Sequence, residues 1–241
     1  MYLSIVIPAY NEEKKIAKTI FEVDDYLTKQ PFDYEIIVVN DGSNDRTGEI
    51  VKNLQSNISN LEIIDNEKNK GKGYAVRRGL LKAKGSYRLF TDADNSTPIV
   101  EIKKLFPYLN LSYDVIIGSR DIDGAKIINC QPRHRRILGK AFSLLVKITI
   151  GLFDINDTQC GFKLFSAKSA NDILSKCEIN GWSFDPEILI VAKKLGYKIK
   201  EAPICWTNNP DTKVRFRDAV EVIFDLLKIR WNLIVGRYHK S

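Results

Sequence analysis

The chain has 241 residues, of which 44% are hydrophobic and 28% charged, and this suits one large α/β domain or two small ones without a low-complexity tract. Its formal charge of +7 favours anionic partners such as nucleotides, phosphates, nucleic acid or an acidic membrane face. No uninterrupted apolar run reaches the roughly 18 residues of a membrane span, and the cysteines at 130, 160, 177 and 205 form no CxxC pair, which argues for reduced thiols over a disulfide set or a zinc site.

The opening MYLSIVIPAYNEE lacks a basic n-region and reads as a strand, not a signal peptide. Leu3–Ile7 is β-branched and closed by Pro8, as in a buried parallel strand. Asn11 is placed to cap a helix with Glu12 and Glu13 in its first turn and Ile16, Ile20, Val23 and Leu27 as its apolar stripe. Residues 35–40 (EIIVVN) predict a second strand, ending in the turn Asp41-Gly42-Ser43-Asn44-Asp45 before a helix through Val51 and Leu54. Leu61–Ile64 predicts a third. Strands alternating with helices imply a doubly wound, mostly parallel sheet, in which ligands sit beyond the carboxyl ends of the strands. Asn69-Lys70-Gly71-Lys72-Gly73 then precedes a helix. Its glycines would let backbone amides approach an anion, with Lys72 as a point charge; a solvated basic turn has the same sequence.

Tyr87–Phe90 is a strand that runs into Thr91-Asp92-Ala93-Asp94. On an extended backbone Asp92 and Asp94 share one side, and two such carboxylates can hold Mg²⁺ or Mn²⁺ against a diphosphate. A solvated acidic turn is the plain alternative. Residues 113–118 predict another strand, ending at Ser119-Arg120. Arg133, His134, Arg135 and Arg136 directly precede the apolar segment 137–153, and 219–235 has the same character, with Glu221, Asp225, Lys228 and Asn232 opposite Val220, Ile223, Leu227, Trp231 and Ile234. Such helices are core or interfacial, and the basic run suits an anionic membrane. Between them lie Asp157, in a loop before Gly161, and Trp182-Ser183-Phe184-Asp185-Pro186. That second cluster could stack and bind a sugar, or Asp185 could cap a helix.

These pieces, in order, resemble a family 2 glycosyltransferase of the polyprenyl-phosphate (dolichyl-phosphate) hexosyltransferase type. The residues that carry the resemblance are SIVIPAYNEE (4–13), VVNDGSNDRT (38–47), NKGKGYAVRRG (69–79), FTDADNSTP (90–98), IIGSR (116–120), NDTQCGFKLF (156–165), FDPEIL (184–189) and TKV (212–214). The DADNSTP and DTQCGFK versions are closer to dolichyl-phosphate β-glucosyltransferases than to mannose-phosphate synthases. The resemblance implies one domain over 1–241, with a nucleotide-sugar half (1–120) and an acceptor half (121–241). It implies that Pro8, Ala9, Tyr10, Glu12 and Asp41 hold base and ribose, and that Lys72 approaches the nucleotide. Asp92, Ala93 and Asp94 would meet the diphosphate and the metal, with a further polar group near Ser96. Asp157 and Gln159 would lie over the sugar, and Lys213 would close over the diphosphate. Arg120, Arg133, Arg135 and Arg136 would face the acceptor phosphate.

The implied reaction is inverting transfer of one hexose, glucose from UDP-glucose, to a polyprenyl or dolichyl phosphate with Mg²⁺ or Mn²⁺. The implied place is the cytoplasmic face of a membrane, held peripherally, with no nucleic-acid partner and an oligomer allowed. Asp211-Thr212 stand where some relatives have Gly-Ser, the Gln-x-x-Arg-Trp of processive relatives is absent, and no C-terminal membrane helix precedes Ser241. The alternatives are mannose transfer from GDP-mannose to the same lipid class, a hydroxyl acceptor with Asp157 as base, a nucleotidyltransferase, and a non-catalytic sensor or scaffold.

Overall fold

Leu3–Ala9 has no exposed side chain, and this fully buried strand, β1, is the middle of the sheet's parallel half. The computed structural model describes residues 1–129, 133–208 and 216–239, and the side chains of these except 133–138 and 216–220. β1 pairs in parallel with β2 (Tyr34–Asn40) over its whole length and with β4 (Tyr87–Thr91) from Leu3↔Tyr87 to Val6↔Phe90. With β3 (Leu61–Asp65), β5 (Val115–Ser119), β7 (Phe162–Ser166) and β8 (Ile199–Pro203) the sheet order is β3-β2-β1-β4-β7-β5-β8. Every pairing is parallel except those of β7, which is antiparallel to both β4 and β5. Residues after 120 are thus built into the same sheet as those before it. β6 (Lys126–Ile128) and β9 (Cys205–Thr207) form a separate parallel pair.

The strand does not stop at Pro8, as the sequence suggests. Ala9 carbonyl accepts from Asp41 N–H (2.8 Å), so Ala9 faces β2 and Pro8 faces β4. The β4 ladder has already ended at Val6, so the missing donor of Pro8 is not needed.

α1 (Ile16–Leu27), α2 (Thr47–Gln55) and a 3-10 helix (Ile99–Lys104) pack on one face. α3 (Lys72–Lys82), α5 (Arg133–Ile150), α6 (Ala167–Leu174), α7 (Phe184–Lys194) and α8 (Phe216–Ile234) cover the other, and α4 (Phe106–Leu109) is a single turn. α1 buries Ile16, Ile20, Val23 and Leu27, the stripe the periodicity predicts. It does not start at Asn11. That residue sits in the left-handed region (φ +52°), its N–H donates to Ser43 Oγ (2.9 Å), and its Oδ1 accepts from Asn44 N–H (2.8 Å). The two loops beyond β1 and β2 take the side chain that the helix would have used.

α5 and α8 pack against each other and carry apolar side chains on both their inner and outer sides. Ile148 (62% exposed), Leu144 and Leu145 on α5, and Ile223, Phe224, Leu227, Trp231 (61%) and Ile234 on α8, face outward, whereas Asn232 of the polar stripe is buried. No helix among the described residues is long and apolar enough to cross a membrane.

Lys163 is fully buried on β7, opposite Phe90 of β4 and Ile117 of β5. Its ammonium donates to the Cys160 carbonyl (2.6 Å) and to the Asp185 carboxylate. Removing one member of a buried pair strands the other charge, at a cost of roughly 3–5 kcal/mol, while replacing both with apolar side chains is often neutral. We expect Lys163→Met to lower the thermal midpoint by about 10 °C and Lys163→Met/Asp185→Leu to recover most of the loss, read by calorimetry. Equal midpoints for the single and double variants would show that the pair does not act as a unit.

Candidate active site

The carboxyl ends of β1, β2 and β4 lie side by side, and the loops that leave them are stitched together. Glu12 N–H donates to Thr47 Oγ1 (2.8 Å), Glu13 N–H to Asp45 (3.1 Å), and Arg46 N–H returns to Glu13 (3.1 Å). Pro8 and Ala9 are buried in the strand end, and Tyr10 and Glu12 are partly exposed at its mouth. Asp41 is 2% exposed. One of its oxygens accepts from Asn66 Nδ2 (2.6 Å) and Lys70 N–H (3.0 Å), and the other from Gly71 N–H (2.8 Å).

This changes the reading of the glycine loop. The anion its amides bind is the protein's own Asp41. The next amides, of Gly73 and Tyr74, donate to the Asn180 carbonyl (2.7 and 3.3 Å). The glycines are there for close approach: a Cβ on Gly71 would strike Asn180 O, and one on Gly73 would strike Ile179 O and Phe184. The loop is a joint between α3 and the segment before α7, not an open phosphate cradle. Its contribution to the site is the Lys72 side chain.

Lys72 Nζ reaches Asp92 Oδ1 at 2.6 Å, so two separately predicted parts of the site meet. The ammonium also lies over the rings of Trp182 (5.7 Å) and Phe184 (5.8 Å). Burial works against the charged lysine, but Asp92 first, then Asp185 and Asp94, outweigh it and raise its pKa. Asp92 and Asp94 do not lie on an extended backbone. β4 ends at Thr91, and Asn95, with φ +53°, closes a turn by donating its N–H to Asp92 carbonyl (3.2 Å). Asp94 Oδ1 accepts from Ser96 N–H (3.0 Å) within the same turn. Both carboxylates remain partly exposed, with Ala93 buried between them.

Asp92 is held from behind by Gly161. A Cβ there would land on the Asp92 carboxylate, so only glycine lets the loop before β7 back onto it. Lys163 fixes that loop through the Cys160 carbonyl. Asp185 is therefore neither a helix cap nor a sugar ligand. α7 starts after Ser183, and Asp185 is spent on Lys163 inside the core. Burial pushes the Asp185 carboxyl up, against the pull of Lys163 and Lys72, and pushes the Cys160 thiol up to about 12, which leaves it an inert thiol.

Arg120 and Asp157 form the other wall. Asp157 is 3% exposed and takes Arg120 Nε (2.7 Å), Nη2 (2.8 Å) and backbone N–H (3.0 Å), with Gln159 N–H at 3.2 Å. Burial raises the Asp157 pKa, but the charge and hydrogen bonds of Arg120 outweigh it and hold the carboxyl below the ordinary range. The Arg120 guanidinium carbon lies over the Trp206 ring, 5.2 Å from its centroid. Gln159 is partly exposed beside them. Sequence reasoning missed Trp206, Lys163 and the backbone of Asn180. A lone tryptophan and a lysine inside an apolar strand carry no motif; only a charge in the run FKLF hinted at the second. Lys213 lies outside the described residues, as do the side chains of Arg133, Arg135 and Arg136.

The donor set fits a hard divalent cation. Asp92 and Asp94 offer carboxylate oxygens one residue apart, and among the described residues no cluster of three or more acidic, His or Cys groups forms a closed cage. Mg²⁺ and Mn²⁺ suit oxygen ligands, and Mg²⁺ usually takes one or two carboxylates and leaves the rest of its shell to water and substrate phosphates.

The family model described as Glycosyl transferase family 2 matches residues 4–174. The chain is 35% identical to a dolichyl-phosphate beta-glucosyltransferase of Trichomonas vaginalis over 241 residues, 95% of this chain and 73% of that one. It is 34% identical to the Homo sapiens dolichyl-phosphate beta-glucosyltransferase, over 98% of this chain and 77% of that one. Among solved structures, glucosyl-3-phosphoglycerate synthase from Mycobacterium tuberculosis, in complex with Mn²⁺, UDP and glucosyl-3-phosphoglycerate, superposes with a TM-score of 0.70 at 19% identity, covering 95% of this chain and 80% of that one. This chain belongs to glycosyltransferase family 2 and is a glycosyltransferase.

Gly161 gives a direct test. Gly161→Ala must displace Asp92, and a shift of about 1 Å in such a group can cost about 100-fold in rate. We expect transfer to fall by about that factor with the thermal midpoint nearly unchanged, measured by turnover and calorimetry together. A fully active Gly161→Ala would mean that Asp92 tolerates displacement.

Proposed function

We propose that this protein transfers a single glucose from UDP-glucose to the phosphate of a dolichyl-type polyprenyl lipid, with inversion at the anomeric carbon. The observation that carries the proposal is Asp157. A hydroxyl acceptor needs a carboxylate to take its proton. Asp157, the residue in position for that work, has both oxygens committed to Arg120, whose charge holds its carboxyl below the ordinary range. A phosphate monoester has a second pKa of about 6 and is already a nucleophile at neutral pH. It needs positioned cations instead, and Arg120 is one. The names of the relatives support the same lipid and sugar.

In this reading a phosphate oxygen of the acceptor bonds to the anomeric carbon as the bond to the diphosphate breaks, and the electron pair leaves with the diphosphate. Lys72, kept charged between Asp92 and Asp185, meets the negative charge that develops there. Asp92 and Asp94 would hold Mg²⁺ or Mn²⁺, which neutralises charge on the leaving diphosphate. Gly161 and Lys163 keep Asp92 in place. The outward apolar faces of α5 and α8 would seat the protein on the membrane that carries the acceptor, with the basic run at 133–136 near the headgroups.

The decisive measurement is a panel of UDP- and GDP-sugars with a polyprenyl phosphate and Mg²⁺ or Mn²⁺, read by mass spectrometry. We expect glucosyl-lipid and free UDP. Mannosyl-lipid from GDP-mannose, a glycoside of a soluble alcohol with no lipid product, or a sugar nucleotide with pyrophosphate would each replace the proposal. The pH–rate profile adds a sign. With Asp157 depressed and paired, no acid limb belongs to it near neutral pH, and Asp157→Asn lowers the rate without removing a limb. Loss of such a limb in that variant would make Asp157 the base.

Membrane seating is tested by co-sedimentation with anionic vesicles. Binding should weaken with salt, and Leu227→Glu/Trp231→Glu should abolish it while leaving turnover on a detergent-soluble acceptor intact. Full binding by that variant would assign these faces to another contact.

A further inference from the structure

We propose that Trp206 is a positioning residue that fixes the plane of the Arg120 guanidinium, so that one defined edge meets the acceptor's phosphate oxygen. The inference rests on the acceptor reading above and adds to it the residue that aims the cation.

A guanidinium has five N–H donors in one plane. Asp157 takes one from Nε and one from Nη2, a side-on fork that sets the direction of the group within its plane. Nη1 is then on the far edge, and it makes no hydrogen bond among the described residues. A fork alone leaves the plane free to hinge about the line of its two bonds. The indole removes that freedom, because the guanidinium carbon stands 5.2 Å from the Trp206 ring centroid and stacking favours one tilt. Arg120 keeps 25% of its side chain exposed. What remains is a single open edge, held in a fixed plane, and this suits an anionic oxygen.

Trp206 is itself built to stay put. On its two sides Cys205 N–H donates to the buried Glu101 (2.7 Å) and Thr207 N–H to the Ser96 carbonyl (2.8 Å), while β9 pairs Trp206 with Ile127 of β6. Ser96 in turn donates to Asp94. The indole that tilts the acceptor's arginine therefore hangs on the same turn as the carboxylates on the donor side. A tryptophan needed only for packing would require none of this registration with Arg120.

The test uses the full chain, UDP-glucose, Mn²⁺ and farnesyl phosphate as a short polyprenyl acceptor. Trp206→Leu keeps apolar bulk and loses the ring face; Trp206→Phe keeps a smaller face. We expect Trp206→Leu to raise the acceptor KM about tenfold and Trp206→Phe about two- to threefold, with the UDP-glucose KM and donor hydrolysis unchanged. In an Arg120→Ala background both substitutions should have no further effect on the acceptor KM, because there is no plane left to set. If Trp206→Leu does not fold, the same cycle is read with Trp206→Phe. A wild-type acceptor KM in the folded variants, equal effects of Leu and Phe, or an undiminished effect without Arg120 would overturn the role of Trp206. An Arg120→Ala variant with an unchanged acceptor KM would instead overturn the acceptor reading itself.

Discussion

Charge brought out of water has to be paired, and the site is laid out by that constraint. Three cation–carboxylate pairs run from the core to the mouth: Lys163–Asp185, fully inside, then Arg120–Asp157, then the more open Lys72–Asp92. They are not independent. Asp157 feels Lys163 as well as Arg120, and Asp185 feels Lys72 and Asp92 as well as Lys163. The reversed strand β7 makes the array possible. A parallel strand in its place would start at the opposite end of the sheet, away from the carboxyl ends of β4 and β5. The antiparallel β7 brings the loop at 157–161 straight to the carboxyl ends of β4 and β5, with Lys163 one step inside to hold it.

The loops around this array are braced by the protein's own backbone. Asp41 satisfies two amides and a side-chain amide of the segment 66–71, and the Asn180 carbonyl satisfies the next two amides at the start of α3. A helix start needs partners for its first amides. Supplying them from inside leaves Lys72 alone to face outward, on a base that does not have to reorganise when a charged substrate arrives. Preorganisation of that kind is what makes fixed cations effective against developing charge.

Much of this was legible in the sequence because it is written in local patterns. The β-branched runs gave the parallel strands, the stripe Ile16, Ile20, Val23 and Leu27 gave α1, and polar clusters at strand ends placed Asp41 and Asp92 near one another. Most of the errors are long-range; a local one is the turn at Asn95, which takes Asp92 and Asp94 off an extended backbone. Asn11 has the composition of a cap, yet its partners, Ser43 and Asn44, are over thirty residues away. Asp185 has the composition of a cap as well, and its partner is Lys163 across the core. The glycines at 71 and 73 look like a phosphate loop because close backbone approach is what glycine permits, whether the approaching group is a phosphate or Asn180. Periodicity specifies which face is buried; it does not say what a buried polar group will meet.

The same limit explains α8, whose pattern reads as an ordinary amphipathic helix and which shows apolar side chains on both its inner and outer sides. Val222, Leu226 and Ile229 face inward, and of the polar stripe only Asn232 is buried with them, because a hydrogen-bonded network waits there. Asn232 Nδ2 donates to the buried Tyr238 hydroxyl (3.1 Å), which donates to Glu187 (2.7 Å), and Glu187 also accepts from Glu178 and Ile179 N–H (2.9 and 2.8 Å). The outer side of the helix shows Ile223, Phe224, Leu227, Trp231 and Ile234 beside the exposed Glu221 and Lys228. The segment that Glu187 holds is the one whose next residue, Asn180, seats α3 and Lys72, and whose Gly181 lies against Glu221 of α8. A single short stretch, 178–183, therefore carries the outward apolar helix on one side and Lys72 on the other. The placement of Lys72 beside Asp92 and the seating of α8 thus share one set of contacts.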